Sequence, residues 1–215
     1  MKILNLYAGV GGNALHWEKD DVTSVEYTEA IAEIYKQNQP GHSVIIGDAN
    51  AYLYQNAHKF DFVWSSPPCQ SHSKMVKATR HASQQGRPVD MTLYQQIIWL
   101  QHFYSGLWVV ENVDPYYGVL QPKGVHIKQV GRHVFWSNFD LGDIQDVKRP
   151  KGFINQADVS GKNKLQEWLG IHYDQNVYYE GNHCPAQILR NAVHPKIGEQ
   201  ILNKAKDKRG LKWEK

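Results

Sequence analysis

The sequence predicts an α/β fold: a doubly wound, mostly parallel sheet with an antiparallel pair at one edge and a very small insert. Three observations carry this. From residue 2 to residue 110, apolar runs of strand length alternate with amphipathic stretches of helical period. Polar residues stand directly after those runs (Gly9, Glu26, Asp48, Cys69, Glu111), where open α/β sheets gather their ligand-binding groups. Beyond residue 125 the alternation stops, and the runs 125–130 and 133–136 follow one another with no helix between them.

Composition sets the bounds. A chain of 215 residues with 41% hydrophobic content is long enough for one domain with a full core, and no apolar run has membrane-spanning length. The opening MKILNLYAGVGG reads as a strand and its turn, too short in apolar residues for a signal peptide. Cys69 and Cys184 are too far apart for a metal knuckle and too few for a disulfide framework, so a cytoplasmic location and no metal are expected. The net charge of +3 permits nucleic acid without requiring it. The basic tail, with Lys204, Lys206, Lys208, Arg209, Lys212 and Lys215, reads first as a solvated end.

Residues 2–7 are the first strand, and Ala8-Gly9-Val10-Gly11-Gly12-Asn13-Ala14 follows as G-x-G-x-x-A, a turn expected to open a helix. Glycines let the backbone approach a ligand closely, and the pattern fits a nicotinamide dinucleotide, a flavin or S-adenosylmethionine equally. Residues 22–25 are the second strand, and Glu26 at its end is placed to bind ribose hydroxyls. Residues 28–38 form a helix with Ile31, Ile34 and Tyr35 inward, stopped by Gln39-Pro40-Gly41. A third strand over 44–46 delivers Asp48, an acceptor for an adenine amino group, the N-cap of the next helix, or both.

Residues 60–64 are the fourth strand, which leads into Ser65-Ser66-Pro67-Pro68-Cys69-Gln70. Each proline fixes its own φ and pushes the residue before it out of the helical region, so the thiol stands on a stiff support. An ordinary free cysteine is a buried small hydrophobe. The prolines before Cys69 and the polar Gln70, Ser71 and His72 after it favour a nucleophile instead. Residues 70–91 are a long polar loop whose Lys74, Lys77, Arg80 and Arg87 offer phosphate affinity. Residues 92–106 are an aromatic-rich helix belonging to the core. Strand 107–110 follows, with Glu111-Asn112-Val113 at its end as site residues or as a cap before Pro115. Residues 138–163 read as irregular, 165–171 as a short helical turn, and 196–206 as the final helix after His194-Pro195.

Taken in order, NLYAGVGG, Glu26, GDA at Asp48, SSPPCQSHS, VVENV and RNAVHP resemble the motifs of the C5-cytosine DNA methyltransferases over nearly the whole chain. PPCQ together with ENV is specific; the glycine turn alone is not. The resemblance implies a Rossmann-like methyltransferase fold with S-adenosyl-L-methionine as cofactor and S-adenosyl-L-homocysteine as product. It implies cofactor contacts from Tyr7, Ala8, Gly9, Gly11, Gly12, Glu26, Tyr27, Asp48, Ala49, Pro67, Asn191, Ala192 and Val193. Cys69, Glu111 and Arg132 would be catalytic. Pro68, Gln70, Ser71, Ser73, Lys74, Asn112 and His133 would meet the substrate. Asn5 and Tyr7 replace the family's usual aspartate and phenylalanine, and its Gln-x-Arg-x-Arg motif appears as Gln129-Val130-Gly131-Arg132-His133.

In such an enzyme Cys69, as thiolate, adds to C6 of cytosine, with a following helix N-terminus or Lys74 favouring ionisation. Glu111 in its acid form hydrogen-bonds N3 and the exocyclic amine while C5 takes the methyl group. The base must leave the stack to be reached. The catalytic domain would comprise 1–139 and 165–215, leaving 140–164 as a short target-recognition insert. So few residues read a short or degenerate site, since each bidentate base contact gives only about 1–3 kcal/mol of discrimination. The expected partner is double-stranded DNA, bound by a monomer away from any membrane, in restriction-modification or in modification of phage DNA. A cognate endonuclease is not visible in the sequence. Methylation of cytosine in tRNA and non-catalytic nucleic-acid binding are the alternatives.

Overall fold

Runs such as Ile3-Leu4, Phe62-Val63-Trp64 and Trp108-Val109-Val110 are apolar on both sides, so a sheet made from them must be covered on both faces. The computed structural model, which describes residues 1–74, 88–152, 159–178 and 184–213, shows how. Strands β1 (Lys2–Leu6), β2 (Asp21–Glu26), β3 (Ser43–Ile46), β4 (Phe62–Ser65) and β5 (Leu107–Val113) lie parallel. β6 (His126–Val130) and β7 (His133–Ser137) complete the order β3-β2-β1-β4-β5-β7-β6. β7 runs antiparallel to both β5 and β6, the edge pair read from the sequence.

Helices α1 (Glu29–Asn38) and α6 (Pro195–Trp213) cover one face, where Tyr35, Ile197, Ile201 and Ala205 pack with Ile3, Phe62, Trp64, Val109 and Phe135. Helices α2 (Ala49–Asn56) and α3 (Thr92–Phe103) cover the other, where Leu53, Leu93, Ile97 and Leu100 meet Leu4, Leu6, Val63, Trp108 and Val110. Consecutive strand residues thus enter different cores, the period-2 geometry of a pleated strand. A third cluster joins Ile31 and Ile34 of α1 to α4 (Val159–Leu169) and α5 (Gln187–Asn191).

The local chemistry of α6 is legible. Pro195 takes its first position, where a missing N–H costs nothing. The ring of His194 accepts from Lys196 N at its Nδ1 and meets Trp168 O at its Nε2, which assigns the Nε2–H tautomer.

Four expectations change. The glycine turn opens a 3-10 turn, Gly12–Ala14, instead of a helix. The cause is α6, whose Gly198 lies so close that a Cβ there would overlap the carbonyl oxygen of Asn13. β5 runs on to Val113 because β7 pairs with its last residues, so Glu111 and Asn112 lie inside the strand and not after it. α4 begins before the short turn expected at 165–171, and α6 extends well past residue 206. Within 140–164, Leu141 and Ile144 are buried in the cluster that also holds Ile197 and Ile201 of α6.

Candidate active site

All parallel strands present their carboxyl ends to one rim, and the order reverses at β1, between β2 and β4. A crevice at such a reversal is where an α/β sheet holds its ligand. A cavity of about 260 Å³ opens there. Because β7 is antiparallel, it brings its amino end to the same rim, and with it Arg132 and His133.

The cofactor side is built from β1 and β2. Tyr7 ends β1 with φ 53°, the left-handed region that non-glycine residues seldom adopt, and Gly9 follows at φ 54°. Nothing stands within 4 Å of where a Cβ at Gly9 would be, so its backbone faces open space. Glu26 is buried, and its carboxylate accepts from Gly9 N and from Thr28 N, each at 2.9 Å. The acid therefore holds the turn and still has lone pairs for a ligand's hydroxyls. Tyr27 beside it is 78% exposed and lines the cavity, as do Tyr7, Ala8, Gly12, Asn191, Ala192 and Val193.

A buried chain of polar side chains runs away from this end. Asn13 donates to Asn5, Asn5 to Ser24, Ser24 to the Tyr35 hydroxyl, and that hydroxyl bonds with Nδ1 of His42 at 2.8 Å. Asn5, where the resemblance leads one to expect an acid, is thus fully engaged as an amide.

The catalytic side is built from β4, β5 and β7. Pro67, Pro68, Cys69, Gln70, Glu111, Asn112, Arg132 and His133 all line the same cavity. Asn112 donates to Pro67 O at 2.9 Å, tying the catalytic loop to β5. Oε1 of Glu111 lies 2.7 Å from Nδ1 of His133, with both side chains buried. Burial pushes the Cys69 thiol up to about 11; the nearby charge of Glu111 adds to this and that of Arg132 opposes it. Lys74, expected to ease ionisation of the thiol, pairs instead with Asp114. Burial also pushes the Arg132 guanidinium down, while Glu111 counters and Arg149 adds to the fall.

Several predicted contacts lie off the cavity. Asp48 caps α2 by accepting from Ala51 N at 2.7 Å, and Ala49 is buried behind it. The side chains of Gln39 and Tyr35 pack where a Cβ of Gly11 would lie, and Gly11 is not among the residues lining the cavity. Ser71 accepts from Asp90 N, and Ser73 bridges to Pro115, so both fasten the loop. Lys77, Arg80 and Arg87 fall outside the described residues. Gln96 was missed: buried in α3, it joins Ser65, Tyr7 and Asn50 beneath the rim. Its one signal is an amide within the apolar face marked by Leu93, Ile97 and Leu100.

The sequence profile of the C-5 cytosine-specific DNA methylases matches residues 1–118, more than half of the chain. The chain belongs to this family. Its cofactor is S-adenosylmethionine, and the open backbone at Gly9, the held carboxylate of Glu26 and the exposed ring of Tyr27 form a cradle that fits a nucleoside carrying an amino-acid arm. The chain is 27% identical over 176 residues to the type II methyltransferase M.FnuDI of Fusobacterium nucleatum, covering 74% of this chain and 49% of that protein. It is 23% identical over 241 residues to M1.BsuMI of Bacillus subtilis strain 168, covering 96% and 52%. This C-5 cytosine methylase chain thus spans about half the length of the curated relatives it matches. Among solved structures, the Entamoeba histolytica methyltransferase EhMeth shares the fold, with a TM-score of 0.53 over 95% of this chain and 97% of that one at 10% identity. No helix among the described residues is long and apolar enough to cross a membrane.

Proposed function

We propose that this protein methylates C5 of cytosine in double-stranded DNA, with Cys69 as nucleophile and Glu111 as the acid that activates the ring. One observation carries the reading: Cys69, Glu111 and Arg132 line one cavity with the nucleoside cradle of Gly9, Glu26 and Tyr27. A thiol and a carboxyl group beside a cofactor cradle suit addition to an electron-poor ring followed by group transfer.

C5 of cytosine is a weak nucleophile until electrons are pushed into the ring. The thiolate of Cys69 adds to C6 while Glu111 gives its proton to N3, so negative charge does not accumulate on the ring. Bound S-adenosylmethionine supplies an electrophilic methyl group on a positively charged sulfur. Arg132 faces both Glu111 and Cys69 as a positive charge, favouring the thiolate over the thiol. Loss of the C5 proton to water, expulsion of Cys69 as its thiolate and return of the N3 proton to Glu111 restore the aromatic ring. Stiffness from Pro67 and Pro68 and the Asn112 bond fix the attack direction.

The base reaches this cavity only after rotating out of the duplex, at a cost of a few kcal/mol. Residues 140–164, anchored by the buried Leu141 and Ile144, serve target recognition, and their small number implies a short site. The test is incubation with S-adenosylmethionine and mixed-sequence duplex DNA, followed by nucleoside mass spectrometry. The expected product is 5-methylcytosine, absent with Cys69→Ser. Methyl groups on adenine or on the cytosine amino group, or transfer to tRNA alone, would contradict the proposal.

A further inference from the structure

We propose that His133 is the positioning residue of Glu111, a partner of the carboxyl group and not a contact to the DNA. The inference rests on the catalytic reading of Glu111 above. In the β5–β7 ladder, Glu111 is opposite Phe135 and Val113 is opposite His133, so Glu111 and His133 share a face on the diagonal. A long carboxylate side chain and an imidazole span that diagonal, and they do, with Nδ1 2.7 Å from Oε1. Both are buried, and the ring of Phe135 lies 6.2 Å from that of His133. The charged or titratable groups facing the pair are Cys69 from the catalytic loop and Arg132 from the β6–β7 turn. Arg132 in turn donates to the carbonyl oxygen of Arg190 and feels the charge of Arg149.

Engaging Oε1 leaves Oε2 as the oxygen that meets a ring in the cavity. When the Oε2 proton passes to N3, the carboxylate left behind is held by the Nδ1–H of His133; the same proton returns to Oε2 when Cys69 is expelled. A charged donor holds a carboxylate more tightly than a neutral one; a guanidinium is charged and a carboxamide is not.

The experiment compares wild type, His133→Gln and His133→Arg by kcat and by KM for duplex DNA. Binding of S-adenosylhomocysteine serves as the check that each variant is folded. His133→Gln should lower kcat about ten- to hundredfold with little change in KM. His133→Arg should recover most of kcat. If the loss appears in KM with kcat intact, His133 contacts DNA and the proposal fails. No recovery in a folded His133→Arg also overturns it. Wild-type protein that neither methylates cytosine nor forms a Cys69 adduct overturns the catalytic reading and this proposal together.

Discussion

The side-chain amide of Asn112 donates a 2.9 Å hydrogen bond to the carbonyl oxygen of Pro67, just before the Pro68-Cys69 pair. It is buried, and its own oxygen accepts from Val113 N, so the amide can take only one orientation. β5 thereby sets the position of a loop that leaves β4. Asn112→Leu orphans a buried carbonyl at a cost of about 1–3 kcal/mol. The expected result is roughly tenfold or greater loss in methyl transfer with S-adenosylhomocysteine binding unchanged. Equal rates would show that the prolines alone fix the loop.

The thiol should react as a buried one. With Cys69 pushed up to about 11, its alkylation by iodoacetamide should rise about tenfold per pH unit between pH 7 and 10. Arg132→Gln removes the charge that favours the thiolate and should slow alkylation. Glu111→Gln removes a charge that opposes it and should speed alkylation. Rates measured at one pH for all three proteins check the signs.

Glu26 both braces the turn and faces the cavity. Glu26→Ala frees the backbone N–H groups of Gly9 and Thr28 and removes the ligand's acceptor. S-adenosylhomocysteine binding should weaken by about 2 kcal/mol, roughly thirtyfold, by titration calorimetry. Unchanged affinity would remove Glu26 from the cofactor site.

The buried chain behind the cofactor turn should be a stability element. Tyr35→Phe deletes the hydroxyl that links Ser24 to His42, leaving two buried partners unsatisfied. A loss of about 1–3 kcal/mol in denaturant unfolding is expected. A change below about 0.5 kcal/mol would mean that Ser24 and His42 find other partners.

Much of this was legible because the chemistry sits at the ends of locally coded strands. Glu26, Cys69 and the β1 turn follow apolar runs whose period-2 geometry needs no distant information. What was not legible depends on long-range packing. The helix expected after Gly12 is cut to a 3-10 turn by Gly198, which arrives from far along the chain. Glu111 lies within its strand because β7 pairs there, and the same pairing brings His133, expected as a substrate contact, beside the carboxyl group of Glu111. Asp48 could be read as a ligand or a cap from sequence, and only its bond to Ala51 N assigns the cap.

The central claim is that the thiol of Cys69 attacks C6 of cytosine. The most direct measurement is intact-protein mass spectrometry after incubation with S-adenosylmethionine and a short duplex carrying 5-fluorocytosine. Fluorine at C5 cannot leave as a proton does, so turnover should stall as a covalent protein–DNA adduct. The account predicts an adduct that maps to Cys69 and is absent in Cys69→Ser. Methylation of ordinary cytosine without any adduct, or an adduct that persists in Cys69→Ser, would contradict it.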